Sequence, residues 1–188
     1  MEQEEVYQIA QEFVPLIKKM IAENKKFYGF DEPIQVGFDY NEDVCIMGVC
    51  NRTNNVITLN VNSLLKAKEL NDYLDVEYFI VHEIRHIFQH LIIKDYLENR
   101  QIEISEDIVK KWIEESKNYQ KALLDNGEEN PLYFRQDCEL DAYTFSYAVM
   151  LYKYGKDRVS ELYIYEGYEE EFWNIVNEWL DYFSKNEM

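Results

Sequence analysis

Apolar positions recur at helical spacing through residues 3–27, where Val6, Ile9, Ala10, Phe13, Leu16, Ile17, Met20 and Ile21 mark one face of an amphipathic helix with an acidic first turn. Tyr28-Gly29-Phe30 breaks the pattern, Pro33 follows, and the period falls to two. Ile34, Val36, Phe38 and Tyr40 alternate with polar or small residues, as in a half-buried strand. Val44 to Cys50 is apolar on both faces, the pattern of a central strand. Val56 to Val61 alternates again, with Ile57, Leu59 and Val61 on one face. Asn41-Glu42-Asp43 and Asn51-Arg52-Thr53-Asn54 supply turn chemistry between these runs, so the simplest expectation is a three-stranded antiparallel meander.

Beyond Asn60 the pattern is helical. Ser63 to Leu70 predicts a short helix and Leu74 to Glu98 a long one. Ser105 is placed to cap a helix running to about Leu124. The polar stretch Asp125 to Pro131 is a loop, and a helix from about Leu132 to Tyr154 ends at Gly155. Glu169 to Phe183 closes the chain with Phe172, Trp173, Ile175, Val176, Trp179 and Leu180. Without an internal repeat or a linker-like stretch, residues 1–188 read as one α+β domain, mostly helical, its small sheet packed on the long helix.

Composition narrows the classes of function. Against 37 acidic residues stand 19 Lys and Arg, a net charge of −18. A general nucleic-acid binder needs a basic face, and an anionic membrane surface would repel this chain. With 47% of residues apolar, the charge does not imply disorder. The acidic start and the lack of an apolar run near ~20 residues predict a cytoplasmic chain with neither secretory signal nor spanning helix. Cys45, Cys50 and Cys138 lack metal or redox spacing and read as reduced, buried small residues.

All three histidines fall between positions 82 and 90, inside the long helix. His82-Glu83-Ile84-Arg85-His86 is an H-E-x-x-H motif. Histidines at i and i+4 share a helix face, about 6 Å apart along the axis, so both imidazoles reach one ion. Glu83, ~100° further round, sits beside the metal, where it can take a proton from a zinc-bound water. Val76, Ile80, Ile84, Ile87 and Leu91 make an apolar stripe, leaving His82, Glu83 and His86 on the polar arc. Arg85 is expected to pair with a nearby carboxylate.

Zinc in such a site takes a third protein ligand and keeps a position for water. The candidates are His90, Asp137, Glu139 and Asp141. His90 continues the i+4 series, yet lies ~12 Å along a straight helix from His82, and reads as a capping or substrate-side residue. Asp137 or Asp141 could hold the outer nitrogen of a ligating histidine. Tyr133 or Tyr143 could donate to an oxyanion.

The motif His82-Glu83-x-x-His86, followed some 50 residues later by Glu139-x-x-Ala142-x-x-Phe145, resembles the gluzincin-type minimal metallopeptidases of the bacterial ImmA/IrrE group and its phage-encoded relatives. The strand Val56 to Asn60 is similar to the one that precedes the active-site helix in that group, and the resemblance spans roughly residues 33–150. It implies that Glu139 is the third zinc ligand, with Ala142 letting two helices approach and Phe145 packing below. The expected activity is zinc-dependent hydrolysis of peptide bonds, with Glu83 as general base and then proton shuttle. A protein or peptide substrate, neutral to basic, would suit the acidic field and could add as a strand to the edge of residues 56–61. Two other classes fit the same residues: a catalytically silent zincin-like regulator or binding protein, and an acidic DNA mimic in which the histidines are incidental.

Overall fold

A computed structural model describes residues 3–44, 46–124, 127–128, 130–160, 162 and 169–186. Cys45, and Asp125, Asn126 and Glu129 of the expected loop, lie outside these residues. The fold is α+β, mostly helical with one small sheet. Its contacts divide the chain into two units between Ile87 and Phe88.

The first unit opens with α1 (Gln3–Asn24) and a 3-10 turn (Lys25–Phe27). Three strands follow, β1 (Gln35–Asp39), β2 (Gly48–Asn51) and β3 (Val56–Asn60), then α2 (Val61–Leu70) and the first part of α3 (Leu74–Leu97). The sheet order is β1-β3-β2. β1 runs parallel to β3 with Gln35 opposite Val56, and β2 antiparallel to β3 with Gly48 opposite Leu59. The sheet is therefore mixed, and the antiparallel meander is corrected. The central strand is not Val44 to Cys50 but β3, which buries Ile57 and Leu59, while β2 exposes Val49. An exposed edge at residues 56–61 is likewise ruled out, because β3 is hydrogen-bonded on both sides.

Asn60 and its neighbours account for the inserted strand. The Asn41 N–H donates to Asn60 Oδ1, and Asn60 Nδ2 donates to the carbonyls of Asp43 and Ile46. Ser63 Oγ donates to the Val44 carbonyl. These bonds carry the chain from β1 across the C-terminal end of β3, so it returns on the far side as β2. Asn60 also caps α2 by accepting from the Asn62 N–H, starting that helix two residues before Ser63. Val6 and Ala10 of α1 close this region over Val61, flanked by Phe38, Tyr40 and Leu65.

The second unit takes the rest of α3 and then α4 (Glu106–Lys117), α5 (Pro131–Phe134), α6 (Asp137–Tyr154), α7 (Lys156–Val159) and α8 (Glu169–Lys185). Ser105 stands at the N-cap of α4, although its side chain makes no capping bond. The expected helix to Leu124 stops at Lys117, because the backbone of the next residues bonds to the side chains of Gln136 and Asn130 instead. The helix expected from Leu132 is likewise two helices, broken at Arg135-Gln136. Phe145 of α6 packs on Trp179 and Phe183 of α8 at ring distances of 4.9 and 5.6 Å. Val109 and Trp112 of α4 meet Cys138 of α6 among isoleucines and Tyr96. No helix among the described residues is long and apolar enough to cross a membrane.

Candidate metal centre

His82 and His86 lie one turn apart on α3, 6% and 2% exposed. Their Nε2 atoms face each other at 3.0 Å, and the rings are nearly perpendicular at 89°. Glu139, in the first turn of α6, is fully buried. The ligand atoms of these three side chains lie within 4.8 Å of one another, a buried group that could hold a metal ion.

The donor chemistry fits a zinc-type cation. Two nitrogens at ~2.05 Å from one tetrahedral ion are about 3.3 Å apart, so the observed spacing needs little adjustment. A fully buried carboxylate is costly unless hydrogen bonds or positive charge compensate it. For Glu139, hydrogen bonding comes from Tyr119, whose Oη donates to Oε1 at 2.5 Å. Tyr133 also adjoins this carboxylate: burial, then the Glu139 charge, then Tyr143 and Tyr119 push its hydroxyl far above the usual range. Tyr133 therefore keeps its proton.

The Glu139 position is fixed from α4. Glu115 accepts from the N–H groups of Asp137 and Cys138 at 2.6 and 2.9 Å, satisfying two of the otherwise unbonded amides at the start of α6. One turn on, Gln89 Nε2 donates to both the Cys138 carbonyl and Asp141 Oδ2.

The other expected site residues have separate settings. Glu83 is half-buried on α3, and after burial its charge is the next cause holding the Cys50 thiol of β2 above the usual cysteine range. His90 is half-buried on α3 and outside the three-residue group. Asp141 carries the bond from Gln89, and Asp137 pairs with Lys111 at 3.3 Å. The Tyr143 ring lies 5.7 Å from Phe134 and flanks Tyr133. Arg85 and Ala142 are buried. Sequence reasoning missed Tyr119, Glu115, Gln89 and Gln136, which reach the site through long-range contacts without a local spacing.

Comparison with family models, curated proteins and solved structures gave no significant match.

Proposed function

We propose that this chain is a zinc-dependent metallopeptidase of the zincin class, resembling the ImmA/IrrE group. The observation that carries the reading is the buried convergence of His82, His86 and Glu139, two imidazoles and a carboxylate. Bound there, zinc would polarise a scissile carbonyl and make a water acidic enough to deprotonate near neutral pH. Glu83 follows His82 directly and is half-buried. It takes the proton of the attacking water and passes it to the departing amine. Burial first, and then the charge of Glu83, raise the Cys50 thiol of β2, one of the sheet's two edges, so Glu83 acts electrostatically on that strand. An extended peptide adding to β2 would pass Glu83, and the −18 net charge favours neutral to basic segments.

Glu83→Gln separates binding from chemistry. Both forms, loaded with zinc, are incubated with a mixed library of neutral and basic peptides, and the products are read by mass spectrometry. The wild type is expected to cleave, while Glu83→Gln keeps the same zinc content and loses at least about a hundredfold in rate. Equal cleavage by both would remove Glu83 from the mechanism, and a zinc-loaded wild type that cleaves no member would refute the peptidase reading.

A further inference from the structure

Tyr119 follows α4 immediately after Asn118, in the segment that sequence periodicity assigns to a continuing helix. Instead the chain leaves the helix and is clamped by side-chain amides. Gln136 acts as a surrogate strand: its Oε1 accepts from the Gln120 N–H at 2.9 Å, and its Nε2 donates to the Gln120 carbonyl at 3.3 Å. The same Nε2 donates to the Tyr133 carbonyl at 3.0 Å, tying the clamp to α5. Asn130 holds the next two residues, its Nδ2 donating to the Lys121 carbonyl and its N–H to the Ala122 carbonyl. Tyr133 sets the ring, meeting Tyr119 edge to face at 6.1 Å. A side chain that is 38% exposed thus brings its hydroxyl to a carboxylate that is wholly buried.

We propose that Tyr119 is a positioning residue for Glu139: its hydroxyl, delivered by the clamped segment after α4, fixes one carboxylate oxygen so that the carboxylate meets a metal ion in a single orientation. This rests on the zinc reading above. A carboxylate has two oxygens and a free torsion, and a metal ligand loses affinity when it must be ordered on binding. The bond to Oε1 removes that freedom beforehand. Gln136 acts one step further out, by holding the backbone that carries Tyr119. The stretch from α4 to α5 therefore has a role at the centre: Glu115 fixes the start of α6, and Tyr119 fixes the side chain that α6 presents.

The test is zinc affinity, measured with Zn2+ itself by competition against a chromogenic chelator, for the full-length wild type, Tyr119→Phe, Gln136→Ala and the double variant. Tyr119→Phe is expected to weaken zinc binding about tenfold or more. Gln136→Ala is expected to weaken it in the same direction, and the double variant to bind within twofold of Tyr119→Phe, since both act through one hydroxyl. Thermal melts with and without zinc separate this from a merely structural role, which would lower both melts equally. A Tyr119→Phe affinity within twofold of a zinc-binding wild type overturns the positioning role and leaves the metal reading intact. Additive losses in the double variant would overturn the part assigned to Gln136. A wild type that binds no zinc would overturn both.

Discussion

Asn60 uses one side-chain amide, 1% exposed, for four hydrogen bonds: it accepts from the N–H groups of Asn41 and Asn62 and donates to the carbonyls of Asp43 and Ile46. Alanine there removes a helix cap and the acceptor of the Asn41 N–H, and takes one of two donors from each of the two carbonyls, an expected loss of about 3 kcal/mol in chemical denaturation. A loss below about 1 kcal/mol would mean that water replaces those bonds readily. Asn60 is legible in the sequence only as the end of a strand where the pattern turns helical, because its partners are fixed by the crossing of the chain and not by spacing. The histidines stand at the other extreme. Positions 82 and 86 differ by four, so helix geometry alone places them on one face, and the Nε2 separation of 3.0 Å agrees. Tyr119 lies between these cases: one of 16 tyrosines, it carries no mark in the sequence, and only the backbone clamp by Gln136 brings it to Glu139.

Among the elements, periodicity locates strands but says nothing about which strand pairs with which. Alternation marks residues 34–40 and 56–61, yet the apolar run Val44 to Cys50 suggests a centre where the fold has an edge. Gly48 shows how closely the true neighbours approach. Its φ is +156°, and a Cβ built there would stand 2.0 Å from the Thr58 carbonyl oxygen. At Gly37 the nearest atom to such a Cβ is Thr58 Oγ1 at 2.9 Å, the end of a side chain that can turn away. Gly48→Ala should therefore cost at least about 2 kcal/mol in thermal or chemical unfolding, and Gly37→Ala clearly less. Equal costs would contradict the register between β2 and β3. The helices follow the same rule. The long helix of residues 74–97 was legible from its apolar stripe, while the end of α4 at Lys117 depended on remote amides at Gln136 and Asn130 that periodicity cannot register.

For the whole molecule, the −18 charge and the clustered histidines contribute differently. Under the proposed function the charge is a field that would favour neutral to basic partners over anionic ones. Two of the three histidines and one acidic residue out of 37 make the only group of three possible metal ligands among the described residues. An ion that binds the folded chain and not the unfolded one also stabilises the fold, by about 4 kcal/mol at a free concentration a thousand times the dissociation constant. The central claim is that His82, His86 and Glu139 hold that ion together. Its most direct test is the zinc content of the purified protein by elemental analysis, wild type beside Glu139→Ala. About one zinc per chain is expected in the wild type and a large loss in the variant; a wild type without zinc, or a variant that keeps the full amount, would contradict a shared site.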